Sequence, residues 1–207
     1  MDNDFLEEGL ESNKRNHKVI ITDIAISKVP FIKYREISED CYETLREICR
    51  MVLRMAKNDN DSNEVAITYD LESPKIEEAD GLYLGVSCGD EHSVDPLRGT
   101  EAFHIYSSAR SCVVVISHNH PSLSKVSLED AEFLLLHQAI KMVIAVTNRG
   151  NITYLVKSDA YDRKAAIVLL KSAIEKSNHA QSLKEKQEAC DFFLNRCFTV
   201  GLVYDDH

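Results

Sequence analysis

The stretch that decides the fold runs from residue 113 to residue 130 and reads VVVISHNHPSLSKVSLED. It opens with a continuous apolar run, which is typical of a strand that is covered on both faces. Pro121 ends this strand, and the segment SLEDAEFLLLHQAIK, which begins at Ser127, is predicted to be a helix. A doubly covered strand followed by a helix indicates an α/β domain around a central sheet.

Further strands and helices are predicted on the N-terminal side of this stretch. KVIITDIAIS, from Lys18, and FIKYRE, after Pro30, have the pattern of two short strands. Ser38 is expected to cap a helix over ISEDCYETLREICRMVLRMAK, whose apolar residues recur at helical spacing. EVAITYDLE and GLYLGVSC predict two strands joined by a loop around Ser73 and Pro74, and a short helix is expected from Glu101.

The C-terminal side is predicted to contain one more strand pair and then helices. MVIAVTN and ITYLVKS are expected to pair through a turn at Gly150, and the chain from Asp159 is predicted to be helical with a break near Asn178. The predicted organisation is a flexible leader (1–17), a main domain (18–158) and a C-terminal helical extension (159–207). Apolar residues of the extension form either a docking face for a protein partner or part of the core: Leu183, Cys190, Phe193, Leu194 and Cys197.

Composition narrows the classes of function. The chain has 207 residues, with 24 Lys and Arg against 34 Asp and Glu, and this charge of −10 makes nucleic acid a poor partner. No apolar run is long enough to span a membrane, and the N-terminus has no secretory pattern. The six cysteines form no CxxC pair and are interpreted as buried thiols, with Cys88 and Cys112 as small core residues. A cytoplasmic protein is therefore expected.

Two histidines and an aspartate in the deciding stretch predict a metal site. His118 and His120 are separated by one residue at the end of a strand, so their side chains project to the same side. Asp130, in the first turn of the next helix, can supply a third ligand. Two imidazoles and a carboxylate with one open position are what catalytic zinc requires. The bland alternatives are an ordinary Ser127-x-x-Asp130 capping box and histidines without a ligand role. Asn119 and Ser122 are expected to border the metal.

This constellation resembles the JAB/JAMM metalloprotease superfamily, whose motif is a remote Glu, then H-x-H-P, a loop, and S-x-x-D. The RadC-type JAB domains are the most similar branch, because HNHPS is present verbatim at 118–122 and LRGT at 97–100 is similar to their Gly-Thr step. The resemblance covers about residues 35 to 157. It implies a three-layer, cytidine-deaminase-like α/β domain of the JAB/MPN type, with a central mixed sheet flanked by helices. It also implies zinc bound by His118, His120 and Asp130, and an oxyanion-stabilising role for Ser127.

The same resemblance implies a catalytic glutamate at the start of an apolar strand that follows a long helix. Glu64, which opens EVAITYD, has that place and would shuttle a proton. The alternatives for this role are Glu72, Glu91 and Glu101, and the alternative for Glu64 is a solvated loop carboxylate. The chain departs from the family in a loop between Pro121 and Ser127 that is one residue shorter. The helix-hairpin-helix region of full RadC proteins is not recognisable in residues 1–34.

The function implied is zinc-dependent hydrolysis of a peptide or isopeptide bond in a protein substrate, with a ubiquitin-like C-terminus as the leading candidate. The competing possibilities are a catalytically silent JAB/MPN interaction module and a RadC-like DNA-repair accessory protein. His92 and His104 are candidates for extra ligands, although surface histidines are the simpler interpretation. A zinc deaminase is excluded, because neither HxE nor PCxxC occurs in the sequence.

Overall fold

A computed structural model describes residues 18–73 and 83–207 of the chain. The predicted leader and Pro74 of the predicted loop lie outside these described residues. The described elements are, in chain order, α1 (Asp23–Lys28), α2 (Tyr42–Asp59), β1 (Val65–Asp70), β2 (Gly85–Cys88), α3 (Thr100–Ser108), β3 (Val114–His120), α4 (Leu128–Leu136), β4 (Ile140–Thr147), β5 (Ile152–Lys157), α5 (Arg163–His179), α6 (Leu183–Leu194) and β6 (Leu202–Asp206). Short 3₁₀ turns precede α2 and β6, at Glu39–Cys41 and Cys197–Val200.

The strands form one mixed sheet in the order β2-β1-β3-β4-β5-β6. β3 and β4 are parallel, and the neighbouring strands of the other pairs are antiparallel. Helix α2 and the N-terminal segment cover one face of the sheet, while the other helices from α3 onward cover the opposite face. The predicted α/β class, with a central mixed sheet flanked by helices, is therefore confirmed.

Strand β3 lies inside the sheet, and all seven of its residues are buried, as its apolar sequence predicts. Its side chains alternate between the two cores. Val115 packs with α2, whereas Val114 and Ile116 pack with the helices on the opposite face. The same period of two sends Ser117 to the α2 side, where its hydroxyl lies 3.5 Å from the Cys49 thiol. His118 and His120 consequently face the side of α4.

The two strands predicted at the N-terminus are wrong. Residues 23–28 form helix α1, because the Thr22 hydroxyl accepts a hydrogen bond from the Ala25 amide and Asp23 lies in the positively polarised first turn. The FIKYRE segment is irregular, although Ile32 and Tyr34 are buried in the α2 core. The predicted cap of α2 is also wrong, since a 3₁₀ turn intervenes and the Ser38 side chain makes no capping bond.

Two boundaries on the C-terminal side also differ from the prediction. Helix α4 ends at Leu136, because His137 adopts an extended conformation and β4 begins three residues later at Ile140. The predicted break between α5 and α6 is confirmed. The expectation of helix up to the C-terminus is wrong, because Gly201 has a φ of +73° and reverses the chain into β6, which pairs with β5.

The candidate docking residues of α6 and the following turn belong mostly to the core. Phe193, Leu194 and Cys197 are buried and Cys190 is half-buried, whereas the side chain of Leu183 is exposed. The expected burial of Cys88 and Cys112 is wrong, since both are exposed: Cys88 ends the edge strand β2, and Cys112 precedes β3. Within the described residues, no helix has the length and apolar character needed to cross a membrane.

Lys157, at the end of β5, is a buried cation whose environment makes stability depend on pH. Only 4% of the residue is exposed, and its ammonium group donates a hydrogen bond to the His137 carbonyl at 2.9 Å. Burial lowers the pKa of Lys157 from the ordinary 10.5 to about 8. The folded protein therefore releases this proton at a lower pH than the unfolded chain does.

We expect the wild type to gain stability relative to a Lys157→Met variant as the pH rises from about 8 to about 10.5. In this interval the unfolded chain binds more protons at Lys157 than the folded protein. Urea denaturation of both proteins at pH 7, 8, 9 and 10 measures the two free energies of unfolding. A difference between them that stays constant over this range would contradict the buried, destabilised ammonium.

Candidate metal centre

Three predicted ligands converge at the C-terminal end of β3. The Nε2 atoms of His118 and His120 are 2.8 Å apart, and Nε2 of His118 is 3.0 Å from Oδ1 of Asp130. Nε2 of His120 is 3.4 Å from Oδ2 of the same carboxylate. One potential ligand atom from each residue lies within 4.8 Å of the others, so this group can bind a metal ion.

The chain connectivity explains why these side chains meet. β3 and β4 are parallel, so the connection between them must cross one face of the sheet, and α4 provides that crossover. The first turn of α4 follows β3 after a short loop, and it carries Asp130 over the face from which the two imidazoles project. The predicted strand, loop and helix therefore place the ligands as the sequence spacing indicates.

The loop after β3 fixes the orientation of the His120 ring. Nδ1 of His120 lies 3.0 Å from the Ser124 carbonyl oxygen and 3.1 Å from the Ser124 hydroxyl. Because a carbonyl oxygen can only accept a hydrogen bond, Nδ1 must carry the proton in this contact. In the neutral form of the ring, the Nε2 lone pair then faces the other two candidate ligands and is free to bind a cation. Such a partner on the second ring nitrogen is the usual support of a metal-ligating histidine.

His118 has a different environment on its second nitrogen. Its Nδ1 atom is buried and has no hydrogen-bond partner among the described residues. A buried polar atom without a partner is unfavourable, which sets this ring apart from an ordinary core histidine. The other ring nitrogen of His118, Nε2, points toward Asp130 and His120.

The His120 imidazole and the Asp130 carboxylate stabilise each other's charged forms. Burial alone would lower the pKa of His120, but the hydrogen bond and the charge of the Asp130 carboxylate outweigh it and raise that pKa to about 9. Burial alone would raise the pKa of Asp130, yet the two imidazoles hold it well below its usual value. The carboxylate of Asp130 is therefore ionised over the whole neutral range, as a metal ligand must be.

The capping-box interpretation of Ser127 and Asp130 is also confirmed. The Asp130 amide donates to the Ser127 hydroxyl at 3.0 Å. Oδ2 of Asp130 in turn accepts hydrogen bonds from the Ser127 amide at 2.7 Å and from the Ser127 hydroxyl at 2.8 Å. Oδ1 is the oxygen nearest His118, so the Asp130 carboxylate caps α4 through Oδ2 and faces the His118 imidazole through Oδ1. The cap holds the side chain that faces the imidazoles.

Glu64 lies directly before β1 and is 8% exposed. Its backbone is fixed by hydrogen bonds of its amide to the Asp90 carbonyl and of the Gly89 amide to its own carbonyl. Ala66 pairs with His118, so Glu64, two residues earlier, projects from the same face toward the end of β3. Burial raises the pKa of Glu64, while the neighbouring imidazoles oppose this rise. The alternative interpretation of Glu64 as a solvated loop carboxylate is therefore wrong.

Glu64 and the three candidate ligands share one cavity of about 520 Å³. Its floor is the sheet, one wall is α4, and the opposite wall is the loop between β2 and α3. The other lining residues are Glu91, His92, Ser93, Val94, Pro96, Ile116, Ser122, Ser124, Ser127, Glu129, Phe133 and Val143. The cavity thus has an acidic and histidine-rich end and an apolar end.

The alternative glutamates and histidines are placed less favourably. Glu72 and Glu101 are not among the lining residues, and Glu72 instead contacts Ser111 at the far end of β1. Glu91 and His92 lie on the exposed rim, where they pair with each other at 3.0 Å. His104 packs against the ring of Tyr83. None of these five groups joins the described three-ligand cluster.

Asn119 does not border the cavity, and this expectation is wrong. Its side chain points to the opposite face, where it accepts a hydrogen bond from the Val65 amide at 2.8 Å and donates to the Asn63 carbonyl at 3.1 Å. Asn119 also donates to the Asn148 side chain at 2.8 Å. Asn119 therefore ties the chain on either side of Glu64 to β3. Strict alternation along β3 predicts this orientation, because Asn119 lies between two histidines that face the other side of the sheet.

Ser124 and Asn148 are the supporting residues that sequence reasoning missed. Ser124 lies in an irregular loop, where no periodicity predicts its contact with the His120 ring. Asn148 follows β4 and donates to the carbonyls of Val19 and Ser62, so it holds distant segments together.

Comparison of the chain with protein-family models, with curated proteins and with solved structures gave no match in any of the three.

Proposed function

We propose that this protein is a zinc-dependent hydrolase of amide bonds in protein substrates. The observation that carries the proposal is the convergence of two imidazoles and a carboxylate in a cavity that also contains the buried carboxylate of Glu64. This combination of ligands and a separate carboxylate is the set that the JAB/JAMM resemblance implies. The proposal includes the cytidine-deaminase-like JAB/MPN version of the observed α/β fold.

Zinc is the metal that the donor set fits best. Two histidine nitrogens and one carboxylate oxygen are typical of catalytic zinc, whose bond lengths of about 2.0 Å place tetrahedral ligand atoms about 3.3 Å apart. The separation of 3.0 Å between Nε2 of His118 and Oδ1 of Asp130 and that of 3.4 Å between Nε2 of His120 and Oδ2 are close to this value, while the two Nε2 atoms, 2.8 Å apart, would have to separate slightly around an ion. When bound, zinc acts as a Lewis acid that acidifies water and polarises a carbonyl group.

Glu64 is the proposed proton carrier. Its carboxylate would accept a proton from the attacking water as the water oxygen bonds to the amide carbon. The same proton would then pass to the leaving nitrogen as the carbon–nitrogen bond breaks, which produces a carboxylic acid and an amine; the acid then gives its proton to the amine, leaving a carboxylate and an ammonium ion. The raised pKa that burial gives Glu64 supports this role, because a proton carrier works best when its pKa is near the working pH.

Ser127 is supported more strongly as a positioning residue than as an oxyanion donor. Its hydroxyl has one proton, and that proton is donated to Oδ2 of Asp130. Stabilisation of an oxyanion by Ser127, which the resemblance implies, would require this bond to break during the reaction. The bond as it stands restrains the carboxylate that faces His118.

The proposed substrate is a peptide or isopeptide bond, with the C-terminus of a ubiquitin-like protein as the leading candidate. The net charge of −10 and the four acidic residues that line the cavity favour a protein over a nucleic acid. The free thiols fit a reducing compartment, and the cytoplasm is the proposed location.

Incubation of the zinc-loaded protein with a panel of ubiquitin-like fusions and isopeptide-linked conjugates tests the proposal. We expect cleavage of at least one substrate class, its loss with 1,10-phenanthroline, and its recovery when zinc is restored. A protein that binds one zinc ion per chain and cleaves neither these substrates nor a mixed peptide library would instead support the silent interaction module.

A further inference from the structure

The cavity beside the candidate metal centre continues into an apolar inner end. Ile116 and Val143, neighbours on the paired strands β3 and β4, form its floor and are 1% and 2% exposed. Half-buried apolar side chains form the two walls. Val94 and Pro96 belong to the loop after β2, and Phe133 belongs to α4.

The apolar end lies next to the candidate metal ligands. Ile116 is two residues before His118 on the same face of β3, and Phe133 is three residues after Asp130 on α4. The apolar end and the metal-binding end are therefore adjacent stretches of the same two elements. A group held at His118, His120 and Asp130 would therefore lie one strand repeat away from Ile116 and its neighbour Val143.

The charges in the cavity exclude two kinds of side chain from this end. The described lining residues include no Lys or Arg, whereas Glu64, Glu91, Glu129 and Asp130 are acidic. A substrate carboxylate at the apolar end would find no Lys or Arg to pair with among these lining residues and would lose its hydration against Ile116 and Val143. A substrate ammonium could pair with the exposed carboxylates of Glu91 and Glu129 at the rim, but it would lose its hydration without compensation against Ile116 and Val143.

We infer that this inner end is a specificity pocket for an uncharged, branched aliphatic or aromatic side chain adjacent to the scissile amide. The inference rests on the proposed function, since it assigns the substrate class of the same site. Burial of about four carbon atoms against such walls strengthens binding by about 10- to 100-fold. The enzyme would then select apolar residues next to the bond that it cleaves, so among the proposed substrates the pocket favours a peptide bond of that kind over a ubiquitin-like C-terminus that ends in glycine.

Hydroxamates that carry different tails test the pocket through their binding affinities, without substrate turnover. Zinc-loaded protein is titrated by calorimetry with acetohydroxamate, 4-methylpentanoyl hydroxamate, 6-aminohexanoyl hydroxamate and succinyl monohydroxamate. We expect the 4-methylpentanoyl compound to bind at least 10-fold more tightly than acetohydroxamate. The succinyl compound should bind most weakly, and the aminohexanoyl compound should bind at least fivefold more weakly than the branched one.

A loop variant makes the test specific to the pocket. Val94→Asp places a carboxylate on one wall without replacing a residue of the strands or a candidate ligand. We expect this variant to retain one zinc per chain and its affinity for acetohydroxamate, to lose most of the preference for the branched tail, and to gain affinity for the aminohexanoyl tail. Retained zinc binding shows that the variant is folded.

The outcomes separate the two proposals. Stoichiometric zinc with equal affinity for all four hydroxamates would overturn the specificity pocket and leave the hydrolase proposal standing. A branched-tail preference that Val94→Asp leaves unchanged would also overturn it. Protein that binds neither zinc nor any hydroxamate in a zinc-dependent way would overturn both.

Discussion

We expect Glu64→Gln to lower the rate of the proposed amide hydrolysis by about 10²- to 10⁴-fold, the range that a positioned general acid–base group contributes. The substitution preserves the size of the side chain but removes its ability to accept and return a proton. Zinc stoichiometry should be unchanged, because Glu64 is outside the three-ligand cluster. Steady-state rates with a cleavable substrate, measured alongside metal content, check both parts.

Glu132→Gln provides the matched control for this experiment. Glu132 is an exposed carboxylate on α4 that does not line the cavity. The control should keep the wild-type rate. Retention of more than about a tenth of the wild-type rate by Glu64→Gln would remove Glu64 from the mechanism, since general acid–base catalysis contributes far more than that.

The second large effect is expected for His118→Ala, which removes one of the two imidazoles. Loss of a hydrogen-bond partner of a metal ligand already weakens metal affinity by about 10- to 100-fold, so loss of the ligand itself should cost more than about 100-fold. Competition with a fluorescent zinc chelator measures this affinity. His179→Ala is the control, because His179 is an exposed residue at the end of α5.

The same variant should also lose its stabilisation by metal. A ligand at about 100 times its dissociation constant stabilises the folded state by about 2.7 kcal/mol. For a chain of this size, that corresponds to a rise in the melting temperature of about 5 to 10 °C. Zinc should produce this rise in the wild type and in His179→Ala but not in His118→Ala. An equal rise in all three proteins would place the bound zinc elsewhere.

The site could be predicted from sequence because it depends on local geometry. The alternation of β3 places His118 and His120 on one side, and the capping residues Ser127 and Asp130 fix where α4 begins. Both signals act over a few residues, so they do not depend on distant packing. The same alternation, applied to Asn119, would have assigned it correctly to the opposite face.

Other features depended on contacts that no local pattern contains. The segment from Lys18 has an apolar sequence that suits a strand, but the Thr22 cap and packing against the sheet make residues 23–28 helical. β6 forms because Gly201 reverses the chain beside β5, which is about 45 residues away in sequence. The contact of Ser124 with His120 arises from loop geometry alone.

The most direct test of the account is anomalous X-ray scattering at the zinc absorption edge from crystals of the zinc-loaded protein. We predict a single strong peak per chain in contact with Nε2 of His118, Nε2 of His120 and Oδ1 of Asp130, and no peak there in His118→Ala crystals. A wild-type map without density among these three atoms, or with the zinc peak at another group of side chains, would contradict the metal centre.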